Sequence, residues 1–259
     1  MEHPFPGAYT ETRTVGSLQE FYTQIVEYYD ELFPVNTEAV SCILRLLQEL
    51  RLKDPVSPPP MYRFLGIGCG TGNLENRLST ENLDITGIDA NPDMIATAQR
   101  RIKASFSRTR FFEMNSLDIS RFLKAESFNF IACLENMLPY IGDDILVRKF
   151  FYDTKRLLAP GGILLLQVNT FNNKTSSGTI IIQERSSIRV KLNRNLIPDS
   201  SGKYLLEAKL EHGMGQILQI DRSVAVYPLS ASGIASHARE AGLSSCEIFG
   251  DFNGAPLDD

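Results

Sequence analysis

Cysteine is scarce in this chain of 259 residues: Cys42, Cys69, Cys133 and Cys246 stand far apart, with no C-x-x-C pair. That spacing argues against a zinc site and against a disulfide framework, and reads as reduced thiols with no metal. Positive charge is also short, since 26 Lys and Arg against 31 Asp and Glu leave a formal charge of −5 and a pI near 5.4. A chain so balanced has no global basic field to draw in nucleic acid or an anionic membrane. The local exception is Arg100, Arg101, Lys103, Arg108 and Arg110, at a helix end and in the loop after it. Cations there complement the helix dipole, so a solvated structural face is the first reading and a phosphate-binding patch the second. Long apolar runs are missing too, none approaching the roughly 20 residues of a membrane-spanning helix. The N-terminal MEHPFPGAYTETRT has acids and prolines where a secretory signal would carry basic residues and then an apolar stretch. The expectation is a cytoplasmic protein with neither a membrane nor a nucleic-acid partner.

What is present is an ordinary globular balance, 43% apolar against 22% charged, in a chain long enough to bury about 70 to 75% of its unfolded surface. Leu18, Phe21, Tyr22, Ile25, Tyr29 and Leu32 share one helical stripe over residues 17 to 33, and Val40, Ile43, Leu44, Leu47 and Leu50 share another. The run Asp54-Pro55-Val56-Ser57-Pro58-Pro59-Pro60 then stops helix, because proline lacks the N–H donor and biases its predecessor to extended backbone. From there strand and helix alternate: strand 62–67, glycine turn, helix from 73, strand 84–88, helix 92–103, strand 109–114, strand Phe128–Leu134, helix 143–158 and strand Ile163–Val168. Short apolar strands separated by helices predict a mostly parallel sheet with helices on both faces, an α/β Rossmann-like fold. After Phe171 the period becomes two. Ile188, Val190 and Leu192 alternate with polar residues, as do Tyr204, Leu206, Ala208 and Leu210, which predicts an inserted antiparallel sheet with a hairpin turn at His212-Gly213-Met214-Gly215. A helix over Ser230–Ala241 with Gly242 past its end, and a strand Glu247–Gly250, complete the reading. It divides the chain into a helical cap (1–53), a cofactor-binding core (54–170 plus 227–259) and an antiparallel insert (171–226).

The chemistry centres on Leu65-Gly66-Ile67-Gly68-Cys69-Gly70-Thr71-Gly72-Asn73, a glycine turn between a strand and its helix. Glycines at such a turn serve tight packing or let a ligand approach the backbone. Asp89 ends the next strand, about 20 residues on, where an acid can accept both hydroxyls of an adenosine ribose; its bland role is a helix cap. A dinucleotide fingerprint would need Gly or Ala where Asn73 stands. The spacing is G-x-G-x-G instead, which disfavours an NAD-linked oxidoreductase.

That turn, with Ile88-Asp89-Ala90-Asn91-Pro92-Asp93-Met94, resembles class I S-adenosylmethionine-dependent methyltransferases. Phe111-Phe112-Glu113-Met114-Asn115-Ser116, Phe128 to Tyr140 and Leu158-Ala159-Pro160-Gly161-Gly162 resemble the family's later landmarks, and together cover about residues 60 to 170. Tyr28-Tyr29-Asp30-Glu31-Leu32-Phe33, Asn136-Met137-Leu138-Pro139-Tyr140, Tyr227-Pro228-Leu229 and Gly250-Asp251-Phe252-Asn253-Gly254 resemble the glycine and amino-sugar type of small-molecule N-methyltransferase. The resemblance implies S-adenosylmethionine as cofactor and S-adenosylhomocysteine as product. It implies binding through Gly68, Cys69, Gly70, Gly72, Asp89, Ala90, Met94, Asn115, Ser116 and Leu134, and a small-molecule acceptor facing the insert as a lid.

The departures are specific. The acid usual two residues before the first motif glycine is Gly66 here, the acid common after the third strand is Asn115, and Glu135 stands where the subgroup often has glycine. Only Ala255 to Asp259 follow the G-D-F motif, where the family usually adds an antiparallel strand. Glu135 is one candidate to meet the methionine ammonium in place of the missing acid, and Asn115 can serve the adenine or simply form a turn. Methyl transfer from a sulfonium needs orientation more than acid–base help, so no obligatory triad is expected. Acceptor-side candidates are Tyr140, Glu135, Tyr22 and His212, each with a packing or turn role as its alternative, and His237 reads as a surface residue. A cofactor-binding protein without methyl transfer stays open as the second reading.

Overall fold

In the computed structural model, residues 12–53, 60–102, 108–169, 178–213 and 215–257 are described. In chain order the first elements are β1 (Thr12–Thr14), α1 (Leu18–Ile25), α2 (Tyr29–Leu32), α3 (Thr37–Lys53), β2 (Tyr62–Ile67), α4 (Asn73–Leu78), β3 (Leu83–Asp89) and α5 (Pro92–Arg100). There follow β4 (Thr109–Glu113), α6 (Ile119–Phe122), β5 (Phe128–Cys133), a 3-10 turn Leu138–Ile141, α7 (Asp144–Leu157) and β6 (Leu158–Leu166). The last are β7 (Ile180–Ser186), β8 (Val190–Pro198), β9 (Tyr204–His212), β10 (Ile217–Val226) and α8 (Ala231–Glu240). They form two compact units: Pro34–Asn172 with Tyr227–Asp259, and Met1–Phe33 with Asn173–Val226.

The first of these units is built on a parallel sheet of order β4-β3-β2-β5-β6. Its central strands are apolar on both faces, as a sheet covered by helices requires. Phe64, Ile85 and Phe130 pack with Val40, Ile43 and Leu47 of α3 and Leu78 of α4. Leu65, Ile67, Ile88, Ile131 and Cys133 pack on the other side with Val147, Phe150, Phe151 and Leu157 of α7 and Ala238 of α8. The expected α/β architecture is therefore present. Helix starts are specified locally: Asn91 Oδ1 accepts from the Asp93 and Met94 amides, with Pro92 in the first turn of α5. Asp143 caps α7 at Leu146 N, and Ser230 caps α8 at Gly233 N.

The other unit is an antiparallel sheet, β10-β9-β8-β7, to which β1 adds in parallel beside β10. Leu192 faces Leu210 and Leu196 faces Leu206 across β8 and β9, so the alternation read from sequence fixes the register. Ser17 caps α1 by accepting from Glu20 N, while Glu20 accepts from Gly16 N, a reciprocal arrangement that anchors the helix start.

Four expectations change. Residues 17–33 form two short helices, α1 and α2, instead of one. Helix α3, expected in the cap, belongs with the parallel sheet because its apolar stripe is spent on Phe64 and Phe130. Glu247–Gly250 is not a strand: Gly250 N donates to Ala255 O, and Asp251 Oδ1 accepts from Asn253 N and Ala255 N, which folds the chain back on itself. His237 is buried, not exposed; it stacks on Phe151, and its Nε2 lies 3.0 Å from Asp144 Oδ1, which also accepts from the Tyr227 hydroxyl. The basic residues are mostly spent on local contacts: Arg100 donates to Thr97, Arg101 to Asn73, and Arg110 pairs with Asp84. Lys103 and Met214 lie outside the described residues.

Candidate cofactor site

Parallel strands in register deliver their carboxyl ends to one edge of the sheet. Ile67 is paired with Ile88 and with Cys133, and Asp89 with Glu113. The segments that follow, Gly68–Gly72, Asp89–Ala90, Asn115–Ser116 and Leu134–Glu135, therefore emerge side by side. Ligands of open α/β sheets bind along this edge, where the strand order reverses. The strand order turns at β2, between β3 and β5.

Gly68, Gly70 and Gly72 all have left-handed backbone, with φ of 71°, 53° and 72°, a conformation glycine adopts without strain. Gly72 has a second reason. A Cβ there would come within 2.5 Å of the Phe111 ring and 2.9 Å of Ala98 Cβ, so the turn lies pressed onto α5 and β4. Its path is held by Gly68 N and Cys69 N donating to Ile88 O and by Gly72 N donating to Cys69 O.

Asp89 faces this turn. Its Oδ2 accepts from Gly70 N at 2.9 Å and its Oδ1 from Asn91 N at 2.9 Å. Burial raises its pKa, against the lowering by the amides of Asn91, Gly70 and Ala90. Each oxygen keeps a further acceptor direction for a ligand hydroxyl. Among the other expected cofactor residues, Met94 is buried on α5, Ala90 is exposed, and Ser116 and Leu134 are half-buried. Asn115 is exposed and forms a turn, its Oδ1 accepting from Leu117 N at 2.9 Å. Cys69 is half-buried, and burial with the nearby Glu75 and Asp89 carboxylates pushes its thiol well above the usual range.

The acceptor-side candidates separate. Glu135 and Tyr140 belong to the parallel-sheet unit. Glu135 is exposed with φ 56°, its amide donating to Gln167 Oε1 at 2.7 Å; next to it Asn136, φ 59°, accepts from Asn169 N at 2.8 Å. Two successive non-glycine residues in the left-handed region are costly, about 1 to 3 kcal/mol each, and such strain clusters at functional loops. Tyr22 and His212 belong to the other unit, Tyr22 in an aromatic group with Phe21, Tyr29 and Phe33, and His212 edge-on to Tyr28 at 5.0 Å.

Sequence reasoning missed Glu75. It is 1% exposed on α4, and a Cβ at Gly66 would fall 1.9 Å from its Oε1. Its Oε2 is buried with no hydrogen-bond partner among the described residues. Burial pushes its pKa up to about 8, and the Asp89 charge adds to the rise. The signal was available: an acid between the apolar Leu74 and Leu78, just after a motif lacking its usual acid.

Comparison with known proteins agrees with this fold. Residues 64–162 match the family described as a methyltransferase domain. A protein of Geobacillus sp. (strain WCH70), provisionally named a methyltransferase, is 33% identical over 108 residues, which is 42% of this chain and 42% of that one. The sequence match thus spans less than half the length of that relative. An S-adenosylmethionine-dependent methyltransferase from Clostridium acetobutylicum ATCC 824 superposes with a TM-score of 0.71 at 16% identity, covering 92% of this chain and 94% of that one. The sugar N-methyltransferase KedS8 from Streptoalloteichus sp. ATCC 53650 gives 0.57 at 16% identity, over 93% and 90%. Over residues 64–162 the chain is thus similar to the methyltransferase-domain family, and its fold is that of the S-adenosylmethionine-dependent methyltransferase from Clostridium acetobutylicum.

Proposed function

We propose that this chain is an S-adenosylmethionine-dependent methyltransferase that moves a methyl group by in-line displacement onto a nitrogen or oxygen of a small-molecule acceptor. The observation that carries the reading is the pairing of Asp89 with Gly70: a carboxylate at the end of β3 held against a bare, left-handed glycine turn. A carboxylate there suits a ribose diol, and exposed peptide groups suit an aminoacyl tail.

The charge of the site suits this cofactor better than a dinucleotide. Asp89 and Glu75 are both close enough to Cys69 to raise its thiol, so the turn is flanked by two acids. A pyrophosphate at the start of α4 would oppose ionisation of Glu75 in the first turn of that helix, whereas a phosphate-free cofactor bearing ammonium and sulfonium would be attracted by Asp89 and would favour the charged form of Glu75. When bound, that cofactor supplies an already activated methyl group.

The protein's own task is then placement. Asp89 orients the sugar, the Gly68–Gly72 turn admits the tail, and the strained Glu135–Asn136 corner shapes the loop after β5. Correct placement of reacting groups is worth as much as ~7 to 11 kcal/mol of barrier, so a neutral amine acceptor needs no dedicated base. Cys133, pushed up to about 12 by burial, and Cys69 hold their protons and offer no thiolate nucleophile. An acidic chain of this kind suits a metabolite better than RNA or DNA, and the likeness to a sugar N-methyltransferase favours an amino-bearing acceptor. The reading places the reaction in the cytoplasm.

The test is transfer of label from methyl-labelled S-adenosylmethionine to a panel of amines, amino sugars and phenols. Labelled product with stoichiometric S-adenosylhomocysteine is expected. Tight cofactor binding without transfer to any member would favour the second reading, a binding protein, for which the departures at Gly66 and Asn115 are the motivation.

A further inference from the structure

Helix α4 carries a buried carboxylate that the parallel sheet alone does not require. Glu75 is 1% exposed, and its neighbours on α4, Leu74 and Leu78, are the residues that pack against Phe64 and Ile85. An isolated buried acid is expensive unless it is neutral or finds a partner of opposite charge. Its Oε2 has no hydrogen-bond partner among the described residues, and the charge of Asp89 repels it. Burial, rather than a neighbouring charge, is the largest influence on both acids. Two largely buried acids beside a glycine turn suit a ligand that brings positive charge of its own.

The position of the carboxyl group says which part of that ligand. Its Oε1 lies 1.9 Å from where a Gly66 Cβ would be, so it fills the space of a side chain at 66. Gly66 is the next-to-last residue of β2, two residues before Gly68, and it is the place where the resembled family carries its acid. Glycine at 66 and glutamate at 75 are thus sterically linked: a side chain at 66 and the Glu75 carboxyl group would compete for the same space.

We propose that Glu75, reaching over Gly66 from α4, supplies the carboxylate that receives the ammonium of the cofactor's aminoacyl tail. The inference rests on the function proposed above and assigns to Glu75 a contact for which Glu135 is the sequence-level candidate. In the free protein Glu75 is held protonated, and the arriving ammonium draws it into its charged form.

Two probes isolate the contact: S-adenosylhomocysteine, which has the aminoacyl tail, and 5′-methylthioadenosine, which keeps the thioether nucleoside and lacks the tail. Calorimetry at pH 7 is expected to show Glu75→Gln weakening S-adenosylhomocysteine at least about tenfold, the range for a hydrogen bond to a charged group, with methylthioadenosine affinity preserved. The swap Gly66→Asp with Glu75→Ala is expected to recover most of the loss that Glu75→Ala alone causes. Equal weakening of both probes, or of neither, would overturn the proposal. Should Glu75→Gln fail to fold, the wild-type protein still decides: binding of S-adenosylhomocysteine is expected to release a proton, read from titrations in buffers of different ionisation enthalpy, and binding of methylthioadenosine is not. Identical proton release for the two would overturn it as well. If the wild type binds neither probe, it is the proposed function itself that fails, and this inference falls with it.

Discussion

Asp89 was legible as a residue because one spacing rule, a glycine turn and then an acid at the next strand end, places it. Its geometry adds a second duty, since its two oxygens also hold Gly70 N and Asn91 N. Asp89→Ala is therefore expected to weaken S-adenosylhomocysteine by roughly 1.5 to 3 kcal/mol and to lower the melting temperature of the ligand-free protein, both measurable on one preparation. Glu75 was not legible. Pattern reading assigns acids to solvent, and only three-dimensional proximity to Gly66 shows that this one is interior. Its protonation has a stability consequence of definite sign. A carboxyl that binds its proton more tightly folded than unfolded favours the folded state at acidic pH, and costs stability as pH rises from the ordinary range near 4.5 toward its folded value of about 8. The ligand-free protein is thus expected to lose thermal stability between about pH 5 and 8. Glu75→Gln should flatten that part of the profile, and an unchanged slope in the variant would assign it to other groups. Asn115 illustrates the opposite case, a residue whose turn-forming role was as visible in sequence as its binding role; Leu117 N takes the oxygen in question.

Among elements, the alternating strands and helices from β2 to α7, the unread short α6 excepted, were readable within a residue or two at most ends, because they carry their own punctuation: the prolines before β2, Asn91 and Pro92 before α5, Asp143 before α7. Irregularity defeated the pattern elsewhere. β7 escaped because its register shifts between Ile182 and Arg185, which breaks the period of two. The start of β6 was placed late because Gly161, at φ 75°, and Gly162, where a Cβ would lie 3.0 Å from Phe128 O and Ala159 O, let the chain pair through a Pro-Gly-Gly that reads as a turn. Glu247–Gly250 misled for the converse reason, an apolar run whose backbone closes a local turn. The glycine turn gives the sharpest test at this scale. Gly72→Ala combines a left-handed φ with a collision against Phe111 and Ala98, and is expected to cost about 1 to 3 kcal/mol or more of stability. A variant as stable as wild type in urea unfolding would show that α4 can shift away from α5, contrary to the packing described.

For the whole molecule, fold class was accessible because a change of period from helix-and-strand alternation to strict alternation after Phe171 separates a parallel sheet from an antiparallel one. The assignment of α3 was not, since an amphipathic helix advertises that it has a buried face without naming the sheet that buries it. Each unit has its own sheet, and the candidate cofactor residues all fall in the parallel one. Saturating ligand is then expected to stabilise that unit by mass action, about 2.7 kcal/mol at a hundredfold excess over Kd, or roughly 5 to 10 °C in melting temperature for a chain of this size. The most direct measurement is calorimetric titration of S-adenosylhomocysteine and of NAD into the wild-type protein and Asp89→Ala. Saturable single-site binding of S-adenosylhomocysteine, sharply weakened in the variant, with no heat from NAD, is the expected result. Binding of NAD in its place, or equal affinity for S-adenosylhomocysteine with and without the Asp89 carboxylate, would contradict the account.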